Sequence, residues 1–458
     1  MSDIAAAITE LQSLLGKRLS TAQAVLDQHG ASETYFALTP PDAVAFPAHT
    51  GDVSQIVKIC AKHGCPIIPW GVGTSLEGHA LAIKGGVTIS FAQMDQIVQI
   101  YPEDLLAVVQ PGITRETLNE ELRATGLFFP VDPGANATIG GMTATRASGT
   151  TAVRYGTMKE NVLALEVVLA DGRIIRTGTR AKKSSSGYDL THLMVGSEGT
   201  LGIITEVTLR LQGQPEAIAA AVCEFPTVEA AVNTVIMAVQ MGVPMARMEL
   251  IDALSMQALN QYSQLGLPEK PHLFMEFHGS KTSVAEQSET LKELATDMGG
   301  SDFQWSTKTE DRNKLWHARH NAFFATKALK PGFFGMSTDV CVPISKLAEA
   351  IKDTADEAAE HGMFAPILGH VGDGNYHTLF LIDPAKPEEL VLAQKLSHNM
   401  NMRALKMGGT VTGEHGIGMG KMKYMADEHG AAWSVMADIK RALDPQNIMN
   451  PGKVVQIN

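Results

Sequence analysis

Cysteine is scarce in this 458-residue chain, which has four cysteines at irregular spacing. So few cysteines form neither a disulfide framework nor a zinc ribbon, and they are typical of a reducing compartment. Long apolar runs are also missing. No stretch is long enough to span a bilayer, and residues 1–19 have no charged segment followed by an apolar core. We therefore expect a cytoplasmic protein, and a peripheral contact with a membrane stays open.

Basic residues are also in deficit. The chain has 37 lysines and arginines against 49 aspartates and glutamates, a net charge of -12, and aromatic residues make up 6% of it. An acidic chain without basic runs is not a typical partner of nucleic acid, and an anionic substrate would need a local cation. At 458 residues with 45% hydrophobic residues, the chain is predicted to form two or three globular domains.

Two histidines flank a turn in the segment 367–382. Apolar runs on both sides of Asp373 and Gly374 predict two strands joined by a two-residue hairpin turn. In that register His370 and His377 are directly opposite each other, at a spacing from which two imidazoles can hold one metal ion. A single hairpin histidine is more often a core or surface residue, so the prediction needs further ligands.

A third ligand is predicted in the glycine-rich segment 413–418, which cannot be ordinary core. Glu414 and His415 lie among its glycines. Two histidines and the Glu414 carboxylate leave open positions for substrate, as catalytic metal sites require, and such a nitrogen and oxygen set suits zinc or manganese. The same three side chains would also serve a metal-dependent hydrolase.

Three glycine clusters lie at residues 69–78, 132–156 and 196–204. Glycine lets the main chain approach another group closely, and consecutive backbone amides can bind a pyrophosphate. The first cluster does not fit a nicotinamide-binding Rossmann loop, because its third glycine is misplaced and no acidic residue follows at the expected distance. One such loop would often be a mere turn, but three in one domain predict a large, extended cofactor.

The pattern of strands and helices divides the chain. Residues 1–45 are predicted to form short helices, and residues 45–211 short strands that alternate with helices, as in an α+β domain. A second α+β domain is predicted from residue 218 to residue 407. Within it, Arg319 lies in a helical segment among aromatic residues. Helical arginines are usually solvated, but an acidic protein that binds a carboxylate needs a bidentate cation, so Arg319 is a candidate clamp.

Together these motifs resemble those of a known family, the FAD-linked 2-hydroxy acid dehydrogenases of the vanillyl-alcohol-oxidase type. The resemblance covers residues 46–453, and within the family the chain is most similar to the cytochrome-type D-lactate dehydrogenases. The flavin subunit of glycolate oxidase and D-2-hydroxyglutarate dehydrogenase are the nearest relatives. The similar segments are residues 69–75, 132–141, 195–204, 337–345, 370–377, 413–418 and 450–453.

The resemblance implies an α+β fold with three regions: a two-subdomain FAD-binding domain at 1–212, a ferredoxin-like substrate (cap) domain that carries the metal hairpin at 213–407, and a C-terminal segment at 408–458 that returns to the flavin. Covalently flavinylated members often carry histidine where Thr74 stands here, so we expect noncovalent FAD. The flavin-binding residues that the resemblance implies are Pro69, Gly71, Val72, Gly73, Thr74, Ser75, Pro133, Gly134, Thr138, Ile139, Gly140, Gly141, Thr143, Ser148, Gly149, Tyr155, Glu198, Gly199, Gly202, Ile203, Ile204 and Asn450.

The resemblance also implies oxidation of D-lactate, or a similar small D-2-hydroxy acid, to the 2-keto acid, with hydride passing to flavin N5. His370, His377 and Glu414 would hold the divalent metal, His415 would take the hydroxyl proton and Arg319 would pair with the carboxylate. Electrons would pass to a cytochrome, a quinone or an electron-transfer flavoprotein. A catalytically inactive flavoprotein subunit is the alternative of another class, and the oligomeric state stays open, with a homodimer as one option.

The chain length of the substrate is predicted from one departure. The resemblance implies that Phe323, Ser337 and Leu379 stand where the hydroxyglutarate relatives use polar groups for a second carboxylate. Two of these three side chains are apolar, which favours a small monocarboxylate.

Overall fold

The computed structural model describes residues 2–31 and 33–457. The chain divides into two compact units. The first contains Met1–Ser148, Gly156–Gln214 and Glu414–Asn458, and the second contains Gly149–Tyr155 and Pro215–Gly413. The sequence predicts boundaries after residues 212 and 407. In the structure the second unit extends to Gly413, and it also includes the short segment Gly149–Tyr155.

The strands are short, and most of their residues are buried. In the described part of the chain they are, in order, β1 (Leu19–Ser20), β2 (Ala43–Ala45), β3 (Ile67–Trp70), β4 (Val87–Ser90), β5 (Ile97–Tyr101), β6 (Leu106–Val109), β7 (Leu127–Phe128), β8 (Val162–Val168), β9 (Ile174–Arg176), β10 (Ile203–Arg210), β11 (Gln212–Gly213), β12 (Ala217–Glu224), β13 (Met245–Ile251), β14 (His272–Gly279), β15 (Ser301–Ser306), β16 (Phe334–Ser337), β17 (Val340–Cys341), β18 (Ile367–His370) and β19 (Asn375–Ile382).

Helices of very different length connect these strands. Among residues 2–31 and 33–457, no helix has both the length and the apolar character that crossing a membrane requires. The α-helices are α1 (Ile4–Leu15), α2 (Gln23–Gly30), α3 (Thr50–His63), α4 (Arg115–Leu122), α5 (Ile139–Thr145), α6 (Ala152–Tyr155), α7 (Met158–Asn161), α8 (Leu190–Met194), α9 (Val228–Gln240), α10 (Ala253–Ser263), α11 (Lys281–Asp297), α12 (Thr309–His320), α13 (Ala322–Ala328), α14 (Leu347–Glu360), α15 (Pro387–Lys406), α16 (Met425–His429) and α17 (Ala431–Leu443).

The first unit contains two larger sheets in its described residues. The strands of one follow the order β1-β2-β4-β3, in which β2, β4 and β3 run parallel. The strands of the other follow the order β5-β6-β10-β8-β9 and are antiparallel. β4 is buried along its whole length, as parallel strands covered on both faces usually are. Two sheets in one unit agree with the predicted pair of α+β subdomains.

Each of these sheets has its own hydrophobic core. Val53 and Ile56 of α3 are three residues apart, which places them on one face of the helix, and they pack with Ile67 of β3. In the second core, Leu118 of α4 packs with Val207 of β10. The periodic apolar residues therefore attach one helix layer to each sheet.

The second unit is built on one antiparallel sheet, with the strand order β15-β12-β14-β13-β18-β19-β16 and with β17 also paired to β19. Successive side chains of a strand point to opposite faces. Met248 and Leu250 of β13 therefore pack into the larger core with α9, α11 and α14, whereas Ile251 packs into a smaller core with α10, α12 and α13. By the same alternation Arg247 and Glu249 lie on the face of Ile251.

Most of the predicted elements of both units are confirmed, including the strands 203–211, 246–251 and 272–277. Among the strands that were missed are β5 and β9, which are the edges of the five-stranded sheet. Edge strands are partly exposed, and these two mix exposed and half-buried positions. Their residues therefore lack the continuous apolar run on which the prediction depended.

A buried lysine attaches the C-terminal helix α17 to the rest of the first unit. Lys440 is 2% exposed, and its ammonium group pairs with Asp444. It also donates to the carbonyl oxygens of Thr200, at 2.8 Å, and Met449, at 2.7 Å. One buried cation thus links the helix, the third glycine cluster and the C-terminal turn.

We predict that Lys440→Met lowers the free energy of unfolding of the first unit by about 3–5 kcal/mol, because it leaves the Asp444 carboxylate buried without its cation. The matched control is Arg441→Met. Arg441 is the next residue of the helix, is exposed and pairs only with Asp438 among the described residues. Its loss should cost at most about 1 kcal/mol. Urea unfolding monitored by circular dichroism measures both, and equal midpoints for the two variants would contradict the assignment.

Candidate functional site

The two predicted histidine ligands lie on the neighbouring antiparallel strands β18 and β19. The register pairs His377 with Leu368, so His370 and His377 are not directly opposite each other. The predicted register is therefore wrong. The connection is a four-residue turn over residues 371–374 and not the predicted two-residue turn.

Contacts within and next to the turn explain its length. The amide of Asp373 donates to the carbonyl of His370 at 3.0 Å, and the amide of Val371 donates to the carbonyl of Met248 on β13 at 3.1 Å. The second bond continues the sheet past the end of β18. Gly374 completes the turn with a positive φ of 79°, a conformation that glycine adopts without strain.

His370 and His377 nevertheless meet, because diagonal neighbours on adjacent strands lie on one face within reach of long side chains. Their ring centroids are 5.4 Å apart. Glu414 immediately follows Gly413, the last residue of the second unit. Ligand atoms of the two histidines and of Glu414 all lie within 4.8 Å of one another. The structure thus brings the three predicted ligands together, and two imidazoles with one carboxylate at this spacing fit a divalent ion.

A fully buried carboxylate orients the first histidine. Glu249 of β13 is the cross-strand partner of His370 and accepts a hydrogen bond from its Nδ1 at 2.7 Å. The other Glu249 oxygen, Oε2, accepts from Nε of Arg319 at 2.9 Å and lies 2.7 Å from its Nη2. Because Nδ1 donates, the lone pair of the His370 ring is on Nε2, which is the arrangement a metal ligand needs. The predicted clamp Arg319 therefore pairs with Glu249 on one edge.

The second histidine has a different set of partners. Nδ1 of His377 is 3.1 Å from the carbonyl oxygen of Thr338 and 3.6 Å from Oδ1 of Asp339. Asp339 is 1% exposed and accepts from Asn375 at 2.7 Å and from the hydroxyl of Thr412 at 2.6 Å. It therefore holds the strand that carries His377 and the residues just before Gly413.

A third buried carboxylate, that of Glu198, holds the loop after Glu414. Its two oxygens accept from the amides of Ile417, at 2.7 Å, and Gly418, at 2.8 Å. Burial disfavours the charged form, but His79 at 3.4 Å and the two amides outweigh burial and hold the pKa of Glu198 below its ordinary value. We predicted that Glu198 lies along the flavin. The structure shows its carboxylate bound to the 413–418 loop.

The predicted base His415 lies in this loop, half-buried, next to Gly416. Gly416 has a φ of 79°, and a Cβ there would lie 2.6 Å from Nε2 of His79. A Cβ on Gly418 would lie 2.1 Å from the carbonyl oxygen of Glu77. Only glycine fits at these two positions, so the loop keeps one path past its neighbours. The role of His415 itself stays a prediction.

Within the first unit, the first glycine cluster adjoins each of the other two. A Cβ on Gly71 would lie 2.3 Å from the hydroxyl of Thr138, and a Cβ on Gly199 would lie 2.3 Å from Pro69. The first loop, residues 71–75, follows the parallel strand β3, and ligands of such sheets bind outside the carboxyl ends of strands. Adjoining loops with close main-chain approach fit an extended flavin dinucleotide.

Other predicted flavin residues have contacts of their own. The side chains of Thr143, Ile203 and Ile204 are buried within the first unit. Tyr155 lies in the second unit, where its hydroxyl is 2.7 Å from Nδ1 of His278. Any contact of these residues with a flavin stays a prediction. The remaining predicted flavin residues of the second cluster are placed in the first unit, except Gly149, which is in the second: Pro133, Gly134, Ile139, Gly140, Gly141 and Ser148.

The C-terminal turn, where Asn450 is predicted to contact the flavin, is hydrogen-bonded to the same loops. The amide group of Asn450 donates to the carbonyl oxygens of His79, at 2.9 Å, and Glu198, at 2.8 Å. Lys453 is buried and donates to the carbonyl of Leu81 at 2.8 Å. The carboxylates Glu249 and Asp339 and the cation Lys453 were not singled out from the sequence. A charged residue inside an apolar strand, such as Glu249 in 245–251, is the signal that could have found one of them.

The three residues predicted to restrict substrate size belong to the second unit. Ser337 of β16 and Leu379 of β19 are directly opposed partners. Leu379 is buried, and Phe323 of α13 is half-buried. β16 and β19 thus present a hydroxyl and an aliphatic group side by side, without a cation at either position.

The family of FAD linked oxidases, C-terminal domain, matches residues 214–454, and the FAD binding domain family matches residues 41–178. A Danio rerio protein named "Probable D-lactate dehydrogenase, mitochondrial" is 49% identical over 455 residues, which are 98% of this chain and 92% of the relative. An Arabidopsis thaliana protein named "D-lactate dehydrogenase [cytochrome], mitochondrial" is 45% identical over 451 residues, which are 98% of this chain and 80% of the relative.

Among solved structures, p-cresol methylhydroxylase with bound substrate superposes with a TM-score of 0.81. The match has 19% sequence identity and covers 98% of this chain and 96% of that one. At this identity the likeness concerns the fold alone, and it confirms the predicted fold class.

The buried ammonium group of Lys453 gives a pH-dependent prediction. Burial lowers the pKa of Lys453 to about 8. Between that value and about 10.4, the pKa of an exposed lysine, the unfolded chain binds the proton that the folded chain has already released. The free energy of unfolding contributed by this group therefore rises with pH across the window, and the gain is lost as pH falls towards 8.

The comparison that tests this is wild type against Lys453→Met, unfolded in urea at several pH values. The free energy of unfolding of wild type, relative to that of Lys453→Met, should rise by about 3 kcal/mol from the lower to the upper end of this pH window. Lys395→Met, at an exposed position of α15, corrects for the loss of one charge. A difference that does not change with pH would contradict the prediction.

Proposed function

The chain belongs to the FAD-linked oxidase family that includes D-lactate dehydrogenases, and from this premise we propose that it oxidises D-lactate to the 2-keto acid with FAD as its cofactor. The observation that carries the proposal is the similarity to D-lactate dehydrogenases over nearly the whole chain. The cluster of His370, His377 and Glu414 supports a metal-dependent form of the reaction. Glycolate and D-2-hydroxyglutarate are the alternative substrates.

We assign the divalent ion, zinc or manganese, to His370, His377 and Glu414. The donor set supports this, because two neutral imidazoles and a carboxylate leave coordination positions open for a hydroxyl and a carboxylate of the substrate. When bound, FAD supplies a hydride acceptor, and the ion supplies Lewis acidity at the substrate hydroxyl.

The side chains of the protein would bind the substrate and move its proton. His415 takes the proton of the 2-hydroxyl as the hydride leaves C2, so the alcohol loses two electrons and two hydrogens and becomes a ketone. Arg319 keeps its Nε and Nη2 edge on Glu249, and we assign its Nη1 to the substrate carboxylate. A guanidinium held on one edge loses little further freedom when it binds an anion.

We propose a small substrate because the side chains of Phe323, Ser337 and Leu379 are poor partners for a second carboxylate. Leu379 and Phe323 offer no hydrogen bond to a second carboxylate, and Ser337 offers one hydroxyl without charge. A buried carboxylate without a cation is strongly disfavoured. This supports D-lactate over D-2-hydroxyglutarate.

We further propose a cytochrome-type electron acceptor, with a quinone or an electron-transfer flavoprotein as alternatives. We place the protein in the cytoplasm, in reversible contact with the membrane that holds the acceptor. Cell fractionation tests the location, and recovery of the protein solely as an integral membrane component would exclude it.

The first experiment is the visible spectrum of the purified protein without oxygen, before and after addition of D-lactate and, separately, L-lactate. We expect oxidised-flavin bands that D-lactate alone bleaches, because the hydride transfer depends on the handedness at C2. Flavin bands that neither isomer bleaches would remove D-lactate as the substrate, and glycolate and D-2-hydroxyglutarate would then be tested. A colourless protein with full metal content would favour a hydrolase.

The role of His415 is tested by His415→Ala. We expect turnover to fall by about 10²- to 10⁴-fold, the usual contribution of a general base, while FAD and metal content stay the same. His361→Ala is the matched control, because His361 is an exposed histidine that bonds only to the carbonyl of Glu357 among the described residues. Near-normal turnover in His415→Ala would remove His415 as the base.

A further inference from the structure

Glu249 differs from the other residues of the site because it contacts two of the assigned groups at once. It is fully buried, at 0% exposure. Its Oε1 accepts from Nδ1 of His370, and its Oε2 accepts from Arg319. A carboxylate removed from water is stable only when hydrogen bonds and cations surround it. His370 and Arg319 are therefore held in their orientations by Glu249.

The contact with His370 decides which ring nitrogen carries the proton. A carboxylate only accepts hydrogen bonds, so His370 has its proton on Nδ1 and its lone pair on Nε2. The main chain reinforces this geometry, because Glu249 and His370 are directly opposed partners on β13 and β18. The ring can neither flip nor change tautomer without leaving the Glu249 carboxylate short of a donor.

The contact with Arg319 determines which edge of the guanidinium does not face Glu249. Nε and Nη2 of Arg319 lie 2.9 Å and 2.7 Å from Oε2 of Glu249. Arg319 is 7% exposed, so its side chain is held by the protein around it. Only the Nη1 side of the fork lies away from this carboxylate. Glu249 thus fixes a cation and a metal ligand with one side chain.

We propose that Glu249 is the positioning residue that sets the tautomer of His370 and the orientation of Arg319, and so places the metal ion and the substrate carboxylate relative to each other. The proposal rests on the proposed function, since it concerns the same site. It goes beyond that function by assigning both tasks to one buried residue that touches neither substrate nor metal.

The second histidine does not depend on a carboxylate in the same way. Nδ1 of His377 lies 3.1 Å from the carbonyl of Thr338 but 3.6 Å from Asp339. A backbone carbonyl also only accepts, so it would set the His377 tautomer even if Asp339 were neutralised. Of the two buried carboxylates next to the histidines, neutralising Glu249 should therefore affect the histidine tautomer more than neutralising Asp339.

The test replaces Glu249 by its neutral isostere in Glu249→Gln and measures metal affinity. The guanidinium of Arg319 cannot accept, so the amide oxygen of the new side chain must face Arg319 and its NH₂ group must face His370. Nδ1 of His370 then has to accept, which moves the ring proton to Nε2 and blocks the ligand atom. We expect zinc or manganese affinity to fall by about 10- to 100-fold, as for other supporting residues of metal sites.

Two further variants make the result specific. Glu249→Gln combined with Arg319→Gln lets the amide at 249 turn its oxygen back to His370, so metal affinity should recover while KM for D-lactate stays raised. Glu276→Gln is the matched control. Glu276 is likewise buried on the same sheet and accepts from a histidine, Nε2 of His278 at 2.8 Å, but it lies outside the metal cluster, so metal affinity should not change.

Dialysis against zinc or manganese with metal analysis gives the affinities, and bound FAD in each sample verifies folding. His377→Ala is the reference for a lost ligand. Loss in Glu249→Gln with recovery in the double variant supports the proposal. Wild-type affinity in Glu249→Gln, or a double variant as weak as the single one, overturns it. Wild-type protein that binds no metal would instead refute the metal assignment of the proposed function.

Discussion

A carboxylate that is buried away from water is stable only when hydrogen-bond donors or cations surround it. This constraint applies to buried carboxylates in both units of the protein. Glu249, Asp339 and Glu198 are all buried, and each one accepts hydrogen bonds from residues in or next to the candidate site. An unpaired buried charge costs several kcal/mol, whereas a pair with complete hydrogen bonding is tolerated. The carboxylates therefore act as fixed points to which a histidine, an arginine or a glycine loop is attached.

The second unit can carry such a polar group inside a sheet because strand side chains alternate. Met248 and Leu250 point into the larger core, so the alternate positions Arg247 and Glu249 place polar side chains on the other face of the sheet. Arg247 in turn lies 3.3 Å from Glu276 on the next strand, with its guanidinium over the ring of Trp316. Hydrophobic core and chemical site thus share the same strands without competing for the same positions.

In the first unit, buried lysine side chains hold the C-terminal turn in place. Lys440 and Lys453 replace the amides that a strand would offer, and they bind carbonyl oxygens of Thr200, Met449 and Leu81. A turn-rich segment buries little apolar surface of its own, so such bonds are what hold it. Burial lowers the pKa of both lysines, which is the cost of placing a cation there.

Residue type and spacing were enough to predict that His370, His377 and Glu414 form one cluster, about half of the strands, and the family. They did not predict the hairpin register, because the bond from Val371 to Met248 on β13 extends the sheet and lengthens the turn. No local pattern contains that contact, since its partners are more than 100 residues apart.

The same distance hid Glu249, which is 121 residues from His370. A sequence motif can show which side chains are able to bind a metal, because that is a property of each residue. Which nitrogen of a histidine binds, and which edge of an arginine is left, are properties of contacts that exist only after folding. The supporting carboxylates are therefore where sequence reasoning ends and tertiary structure begins to determine the chemistry.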